Sequence, residues 1–336
     1  MGSRMRVGIV GAGSMGRVHA AGWRAAGADL VGVVSRGGAS ARALAQTHGA
    51  RAFPDLDALL REVDVVDLCV PSDLHHPMTL RAAAAGKHVV CEKPMALSVA
   101  DADEMMRACE RAGVRLFIAH VLRFFPQYRA AAEAVRSGHL GRMGVMRFRR
   151  VAYPPREGAS SWFADESRSG GMICDLMVHD FDYALSLAGP VARVFARSLR
   201  SHHPASSRNY ALVTLGFESG AMALVEGGWV YPAGTFRTGF DLAGSDGAIE
   251  WDSDSTESIH RYLLLTETGG APEVGLPLTV MTEDPYTTEI KHVHAALVSG
   301  ERFAVTPADA AAALRIGLAA RASLRTGRSV APSEVA

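Results

Sequence analysis

The feature that most constrains this chain is a glycine-rich turn near its start, Gly11-Ala12-Gly13-Ser14-Met15-Gly16. An apolar run over residues 7–10 precedes the turn, and a run compatible with a helix follows it. In this spacing the first glycine permits a tight turn, the second admits a pyrophosphate to the backbone, and the third packs a helix against a strand. The N–H groups at the start of that helix suit an anion. The pattern predicts a dinucleotide site, with a purely structural glycine turn as the alternative.

Short apolar runs alternate with alanine-rich helical runs over the first third of the chain. The predicted strands cover 7–10, 30–34, 65–70, 88–91 and 115–119, and the predicted helices cover 18–26, 39–46, 56–62, 77–85 and 99–112. This alternation indicates a parallel sheet with helices on both faces. Ligands of such sheets bind at the carboxyl ends of the strands, so we expect functional residues in the loops that follow them.

The alternation ends near residue 123. Strand candidates then follow one another at 143–151, 191–197, 210–217, 221–230, 238–242, 247–251 and 259–265, before helical runs at 288–298 and 307–325. Consecutive strands predict an open, mostly antiparallel sheet, with helices on one face and a partner subunit on the other. The predicted fold class is therefore α/β plus α+β. A doubly wound Rossmann domain over 1–123 would bind a dinucleotide, and a domain over 124–336 would serve substrate binding and oligomerisation.

Composition excludes several other classes of protein. The 336 residues include 35 basic and 35 acidic side chains, so no net field favours nucleic acid or an anionic membrane. No apolar run is long enough to cross a bilayer, and the start lacks the apolar segment of a signal peptide, which predicts a cytoplasmic location. The four cysteines match no zinc spacing and are expected to be reduced thiols.

The residues after the second predicted strand bear on the choice of coenzyme. NAD-selective sites usually place Asp or Glu about 20 residues after the glycine turn, where it binds the ribose 2′-hydroxyl. This chain has Ser35 and Arg36 there, with Arg42 one helical turn further on. A hydroxyl and guanidinium groups suit a 2′-phosphate, which favours NADP. The alternative is a surface arginine that stacks on adenine while NAD binds.

The predicted strand over 88–91 runs directly into Glu92 and Lys93. If the strand ends face the coenzyme, Lys93 lies near the nicotinamide. Its ammonium would then bind a substrate hydroxyl and stabilise the alkoxide that forms as hydride leaves. The alternative is an ordinary solvated lysine at the end of a strand.

An acid and a histidine, Asp175 and His179, lie four residues apart within an apolar stretch. On one helix this spacing puts them on the same face, and burying both is costly unless they pair or act chemically. An acid that orients a histidine makes a general base, whereas a structural Asp–His hydrogen bond is the alternative. No metal is predicted, because Asp175, His179, Asp180 and Asp182 cannot all face one ion from one helix.

Three motifs together resemble those of the Gfo/Idh/MocA family of NAD(P)-dependent oxidoreductases. They are the turn at 11–16, Pro71-Ser72-Asp73-Leu74-His75, and Gly86-Lys87-His88-Val89-Val90-Cys91-Glu92-Lys93-Pro94. The Glu-Lys-Pro motif is the most specific of these. A glycine pair followed by Asp-x-x-x-His at 170–179 is similar to a further family element. The resemblance extends over almost the whole chain and is weakest over 200–285, where substrate identity is usually decided.

This resemblance implies roles for individual residues. The catalytic set would be Lys93, Asp175 and His179, and the substrate would contact these three together with Arg123 and Trp162. The coenzyme would bind at Gly11, Gly13, Ser14, Met15, Gly16, Ser35, Arg36, Pro71, Ser72, His75, Glu92 and Lys93. Two residues depart from the family pattern: Ser35 replaces the usual acid, and Met172 stands where many members have a third glycine.

The expected function is hydride transfer between NADP or NAD and a secondary alcohol or ketone of a sugar or cyclitol. An amine at position 93 and an imidazole at position 179, from separate domains, would act on one substrate oxygen. The expected assembly is a homodimer or homotetramer through the C-terminal sheet, without nucleic acid or membrane partners. Two alternatives are a regulator that senses NADP(H) without catalysis, and a lyase or hydrolase in which tightly held NAD oxidises the substrate transiently.

Overall fold

The computed structural model describes residues 4–153, 162–163, 165–200, 209–232, 235–254, 260–263 and 283–335. Its contacts divide the chain into two compact units. The first comprises Met1–Phe124 and Glu283–Ala311, and the second comprises Phe125–Thr282 and Ala312–Ala336. The predicted change of organisation near residue 123 agrees with this division to within one residue. The continuous second domain over 124–336 is corrected, because Glu283–Ala311 returns to the first unit.

The first unit contains a parallel sheet. Its strands are β1 (Arg6–Val10), β2 (Asp29–Val34), β3 (Arg51–Ala52), β4 (Val65–Leu68), β5 (His88–Glu92) and β6 (Leu116–Ala119). Their order is β3-β2-β1-β4-β5-β6 and every pairing is parallel. The five predicted strands are present, whereas the two-residue β3 was too short to give a periodic signal. The order reverses between β1 and β4, which is where ligands bind in doubly wound sheets.

Helices connect these strands as the alternation predicted. They are α1 (Ser14–Ala25), α2 (Ala39–His48), α3 (Leu56–Leu60), α4 (His75–Ala84) and α5 (Val99–Arg111). Side-chain caps explain two of their starting points. Asp55 accepts a hydrogen bond from the Ala58 amide before α3, and Ser98 accepts one from the Asp101 amide before α5. The start of α1, at Gly13, has no side-chain cap.

The second unit contains the predicted sheet of mostly antiparallel strands. They are β7 (Met143–Ala152), β8 (Val191–Arg200), β9 (Asn209–Phe217), β10 (Met222–Trp229), β11 (Phe236–Gly244), β12 (Gly247–Asp252) and β13 (His260–Leu263). Their order is β13-β12-β11-β7-β10-β9-β8. Among the described strands of this second sheet, β7 and β10 pair in parallel and the other neighbouring strands pair antiparallel. The strand predicted over 259–265 is described only over 260–263. The predicted fold class is confirmed.

Helices cover one face of this second sheet. They are α6 (Pro126–Arg136), α7 (Glu166–Ser169), α8 (Gly171–Asp175) and α9 (Val178–Ala188). Tyr128 of α6 is fully buried, and its ring meets Tyr183 of α9 at 4.9 Å and Phe240 of β11 at 5.0 Å, both edge-on. Along β9 and β10 buried and exposed residues alternate, so Leu212 and Leu224 lie on the opposite, exposed face.

The chain then returns to the first unit before it ends. Helix α10 (Pro285–Ser299) joins the core of that unit, and α11 (Pro307–Thr326) follows. Ile290 and Val293 of α10 belong to the same buried cluster as Trp23 of α1. Gly22 permits this close approach, because a Cβ there would lie 3.0 Å from Ile290. The apolar pattern of α10 predicts a helix but carries no information on which unit it covers.

Two properties expected of the whole chain concern its cysteines and its helices. Cys69, Cys91, Cys109 and Cys174 are free thiols, and all except Cys69 are buried. Among the residues that the structure describes, no helix has the length and apolar character needed to cross a membrane. The first observation agrees with reduced core thiols.

Candidate active site

The glycine turn connects β1 to α1, and a side chain would be excluded or tolerated for a different steric reason at each of its three glycines. Gly11 has φ +109°, and a Cβ there would lie 2.0 Å from the carbonyl oxygen of Cys69. A Cβ at Gly16 would lie 1.9 Å from the carbonyl oxygen of Gly11. At Gly13 a Cβ would meet no atom of the described chain within 4 Å. The first and third glycines therefore permit the fold, whereas the second leaves open space beside the backbone.

The start of α1 suits an anionic group. Gly13 occupies the N-cap, so no side chain satisfies the first amides of the helix, and no acidic residue lies in its first turn. Gly13 and Ser14 are exposed, and Met15 is half-buried. Uncapped amides at the positive end of a helix bind phosphate groups. Open space at Gly13 and uncapped amides at Ser14 and Met15 together fit a dinucleotide.

The loop after β2 and the start of α2 carry the side chains that the sequence analysis linked to the choice between NADP and NAD. The hydroxyls of Ser35 and Ser40 lie 2.9 Å apart. Arg36 and Arg42 are exposed. Within the described parts of the chain neither guanidinium forms an ion pair, so both are available to an anionic ligand.

The loops after β4 and β5 are joined by His75. This imidazole is fully buried, with Nδ1 2.8 Å from the carbonyl oxygen of Pro94 and Nε2 3.0 Å from that of Val70. Both ring nitrogens thus face the protein's own backbone. His75 therefore holds together the two loops that carry Pro71, Ser72 and Lys93, and its contact with a coenzyme stays a prediction.

Ser72 lies at the start of the loop after β4. It is only 2% exposed, and its hydroxyl has no hydrogen-bond partner among the described residues. A buried hydroxyl without a partner costs about 1–3 kcal/mol, which a bound ligand would relieve. Ser72 therefore fits its predicted place in a coenzyme site.

A buried polar cluster lies under the same sheet edge. Nδ1 of His19, on α1, lies 2.9 Å from Asp67 Oδ2 on β4, and its Nε2 lies 3.3 Å from Glu92 Oε1 on β5. The Trp23 indole donates to Asp67 Oδ2 over 2.7 Å, and the Lys93 amide donates to Glu92 Oε2 over 3.1 Å. Sequence reasoning missed this cluster, although a lone acid in the apolar run over 65–70 was a usable signal. It also expected Glu92 at the coenzyme, whereas both carboxylate oxygens face protein groups.

The electrostatics of the cluster follow from its geometry. Burial is the largest single influence and lowers the pKa of His19, but Asp67 and Cys69 together outweigh it and hold that pKa well above its usual value. Burial raises the pKa of Glu92, but His19 and Lys93 reverse the effect and lower it below its usual value. The cluster is thus an imidazolium between two carboxylates at neutral pH.

Three of these groups, His19, Asp67 and Cys69, have ligand atoms within 4.8 Å of one another, as a metal site requires. A thiolate rather than a thiol binds metal, and burial beside Asp67 raises the pKa of Cys69 above its usual value. The indole of Trp23 already donates to Asp67. We therefore interpret the group as a hydrogen-bonded charge cluster.

In the second unit a glycine turn precedes the Asp175–His179 pair. Gly170 and Gly171 have φ of +79° and +71°. Gly170 separates α7 from α8, and Gly171 is the first residue of α8. Asp175 is the last residue of α8, and His179 is the second residue of α9. The expectation of a single helix is therefore corrected: two residues interrupt it. The pair still stays in one short, buried segment, in which Asp175 is 9% exposed and His179 is half-buried.

The start of α9 is anchored to the sheet at two points. Arg150 of β7 donates two hydrogen bonds to Asp180, at 2.7 and 3.0 Å, and both side chains are buried. Met177 packs on β10 at Gly227, where a Cβ would lie 2.3 Å from Met177 Cγ. His179 lies between these two anchored residues in the chain, so its backbone has little freedom to move.

Replacing Asp180 with alanine is expected to lower the free energy of unfolding by about 3–5 kcal/mol, because Arg150 loses its bidentate buried partner. The comparison is Glu334→Ala, which removes the Arg193–Glu334 pair, with side chains 61% and 54% exposed. Exposed pairs contribute about 0–1 kcal/mol. Urea unfolding of both variants measures the difference, and equal losses would contradict the anchoring role.

The two remaining predicted substrate contacts have defined surroundings. Arg123 donates to the carbonyl oxygen of Ala304 over 3.1 Å and lies 3.8 Å from Asp309, so it helps to hold the returning segment in the first unit. Trp162 is half-buried and stacks on Phe163, with ring centroids 3.8 Å apart. Arg123 therefore has a structural function that the sequence did not indicate.

The strand order, the glycine turn and the polar loops at one sheet edge define a dinucleotide-binding fold in the first of two units. A profile described as an oxidoreductase family with an NAD-binding Rossmann fold, Gfo/Idh/MocA, matches residues 5–120, and the C-terminal domain of the same family matches 128–250. The chain belongs to the Gfo/Idh/MocA family. The predicted family, Rossmann fold and oxidoreductase class are confirmed.

Named relatives extend over the full chain. A myo-inositol 2-dehydrogenase of Thermotoga maritima is 31% identical, covering 98% of this chain and 99% of its own. A 1,5-anhydro-D-fructose reductase of Ensifer adhaerens is 29% identical, covering 96% and 97%. The structure of GenD2 from gentamicin A biosynthesis, in complex with NAD, is 26% identical with a TM-score of 0.83, covering 98% of this chain and 97% of that one. The chain is thus similar to enzymes that act on different substrates.

Proposed function

We propose that this chain transfers a hydride between a nicotinamide coenzyme and a secondary alcohol or ketone of a sugar or cyclitol. One observation supports this most directly. Lys93 follows β5 at the sheet edge that also carries the glycine turn after β1 and the loop after β4, and these three strands are neighbours. A cation one strand from the switch point of a dinucleotide-binding sheet suits the stabilisation of a substrate oxyanion.

The coenzyme site that we propose combines the open backbone at Gly13, the uncapped start of α1 and the buried hydroxyl of Ser72. Further contacts come from Gly11, Ser14, Met15, Gly16, Ser35, Arg36, Pro71 and Lys93, while His75 and Glu92 support the loops from within. When bound, the coenzyme supplies C4 of its nicotinamide as the hydride acceptor or donor.

The catalytic roles are divided among three side chains. His179 takes the proton of the substrate hydroxyl as a general base, and Asp175 orients its ring and stabilises the imidazolium. The ammonium of Lys93 binds the same oxygen and stabilises its developing negative charge. Trp162 contributes an aromatic surface to substrate binding. Arg123 supports the site indirectly, because its guanidinium donates a hydrogen bond to the carbonyl oxygen of Ala304.

The relatives' names support sugars and cyclitols as the substrate class, because one acts on myo-inositol and another on an anhydrosugar. The test is a fluorescence titration with NADPH and NADH, followed by a panel of polyols and sugars assayed with the preferred coenzyme. Coenzyme reduction by one member of the panel supports the proposal. Coenzyme binding with no redox change across the panel would favour the regulator. Purified protein that carries NAD and converts substrate without net redox change would favour the lyase or hydrolase.

We propose NADP as the preferred coenzyme, because Ser35 and Arg36 lie in the loop after β2, Arg42 lies in the first turn of α2, and neither guanidinium has an ion-pair partner among the described residues. Arg36→Ala should raise the Kd of NADPH about 10-fold and change that of NADH by less than about 3-fold, since only the former carries a 2′-phosphate. Fluorescence titration measures both. The control is Arg24→Ala, on the exposed end of α1, where the guanidinium donates to the His48 carbonyl. Equal shifts for both coenzymes at position 36 would contradict the preference.

We propose that the exposed face of the second sheet forms an isologous contact with another copy of the chain, giving a homodimer or homotetramer. Met222, Leu224 and Leu212 on that face are 53%, 38% and 43% exposed. Leu224→Asp combined with Leu212→Asp should convert the assembly to monomers, because four charges would meet in a dimer interface. Light scattering after gel filtration measures the mass, and an unchanged oligomer would exclude this face.

The four free thiols are those expected in a reducing compartment, and we propose a cytoplasmic location on that basis.

A further inference from the structure

The His19 cluster described above buries three ionisable side chains at a place where apolar residues would also fill the space. His19 and Asp67 are fully buried, and Glu92 is 7% exposed. Carboxylates face both ring nitrogens, at 2.9 Å and 3.3 Å. Nδ1 is hydrogen-bonded to Asp67, whereas Nε2 lies at ion-pair distance from Glu92 without hydrogen-bond geometry. Attraction to two carboxylates, one beside each nitrogen, favours the doubly protonated ring. One cation therefore neutralises two buried anions from two different strands.

The cluster joins the coenzyme turn to the Lys93 loop. His19 lies on α1, the helix that starts at the glycine turn, and Asp67 lies on β4. Glu92 ends β5 and accepts the backbone N–H of Lys93 through its second oxygen. The imidazolium thus links three elements within one unit, and it reaches the backbone of Lys93 through a single carboxylate.

Other charged groups around the cluster are few. Cys69 lies 3.4 Å from His19 Nδ1, and Lys93 lies next to Glu92 in the chain. Helix α10 packs on α1 and carries the buried Glu289 and the half-buried His294, whose ring meets Trp23 edge-on at 6.3 Å. The direct partners of the imidazolium are therefore carboxylates.

We propose that His19 is a cationic positioning residue for the reaction: held between Asp67 and Glu92, its imidazolium fixes the Glu92 carboxylate on the Lys93 amide and so sets the place of the Lys93 side chain. This inference rests on the proposed function of Lys93. His19 itself touches neither substrate nor coenzyme in this role.

The arrangement of charges predicts what happens when a neutral side chain replaces His19. His19→Gln leaves two buried carboxylates without their cation, so one of them must take up a proton. A carboxylate with a raised folded-state pKa stabilises the fold at low pH and loses that contribution as pH rises through the folded pKa. In the native protein the raised pKa of His19 makes stability fall only as pH rises above the ordinary histidine pKa, because below it the imidazole is protonated in both the folded and the unfolded chain.

The experiment compares His19→Gln, the double variant His19→Gln/Asp67→Asn, and the control His294→Gln. We expect His19→Gln to lower kcat about 10- to 100-fold, with a further decline between pH 6 and 8.5. The double variant removes one anion with the cation, so kcat should recover to within about 5-fold of the native protein and the extra pH dependence should disappear. His294→Gln adjoins Trp23 but no carboxylate, and kcat should not change.

Thermal unfolding from about pH 4.5 to 6.5 provides a readout that needs neither coenzyme nor substrate. In this range the Tm of His19→Gln should fall with pH, because its folded state keeps a carboxylate proton that the unfolded chain releases, whereas the native protein and the double variant should lack this fall. Equal kcat and equal slopes in the single and double variants would overturn the proposal, because simple packing predicts no rescue. If the native protein shows no turnover, the proposed function fails while the Tm slopes still decide whether the charge balance holds.

A second variant covers the case in which His19→Gln does not fold. Glu92→Gln keeps the His19–Asp67 ion pair and replaces the carboxylate with an amide of the same shape. We expect kcat to fall about 10-fold at unchanged Kd for NADPH, because Lys93 loses its charged anchor. An unchanged kcat would overturn the proposal.

Discussion

Replacing His179 with alanine is expected to lower kcat by about 10² to 10⁴-fold while the Kd of the coenzyme stays unchanged. In the proposed mechanism the imidazole accepts the substrate proton, and His179 lies in the second unit, whereas the glycine turn belongs to the first. A loss in kcat without a loss in coenzyme binding is therefore the signature of a general base. Stopped-flow or steady-state assays with the best polyol from the panel measure kcat, and fluorescence titration measures the Kd.

The matched control for this experiment is His139→Ala. His139 is exposed, and its ring lies 3.1 Å from the Ser137 hydroxyl, after α6 in the same unit. Its removal should leave kcat unchanged. Asp175→Asn provides a second comparison, because it keeps the shape of the residue and removes the charge that would stabilise an imidazolium. Normal turnover of the alanine variant at position 179 would remove His179 from the mechanism.

Local patterns in the sequence were sufficient to predict most of the architecture. Strand and helix periodicity, together with the glycine turn, predicted the five longer strands of the first sheet and the succession of strands in the second. These features depend on residues close in the chain. In the glycine turn, for example, the carbonyl group of Gly11 that excludes a Cβ at Gly16 lies only five residues earlier in the chain.

The features that sequence reasoning missed depend on contacts between distant residues. His19 lies 48 positions from Asp67 in the chain, and nothing in either local pattern indicates that they face each other. Arg150 and Asp180 likewise meet only once β7 and α9 are packed. The return of Glu283–Ala311 to the first unit is of the same kind. Periodicity predicts that a face is buried, but it does not identify the surface that buries it.

The break between α8 and α9 has a different origin. The spacing of Asp175 and His179 predicted one helix, because periodicity does not register two residues of turn within a segment that is apolar throughout. Packing accounts for the turn: Met177 fits against Gly227, and Asp180 reaches Arg150. Both contacts involve strands of the second sheet, so the geometry of the acid–histidine pair is set by tertiary structure.

Replacing Lys93 with alanine is expected to lower kcat by about 10² to 10³-fold and to raise KM, because in the proposed mechanism one ammonium both binds the substrate oxygen and stabilises its negative charge. An interaction that is stronger in the transition state than with bound substrate reduces kcat, and its ground-state part appears in KM. Coenzyme binding should change little, since the glycine turn, the start of α1 and the ribose loop remain intact.

The chain offers a closely matched control on the same strand. Lys87 lies immediately before β5, at its amino end, whereas Lys93 lies immediately after it, at the carboxyl end. Because ligands of parallel sheets bind only at the carboxyl ends, Lys87→Ala should leave both kcat and KM unchanged. Steady-state kinetics of the two variants, with NADPH titrations in parallel, show whether the loss of activity depends on where the lysine lies or only on the loss of a positive charge. Equal kinetics for the two variants would show that the amine after β5 takes no part in the reaction.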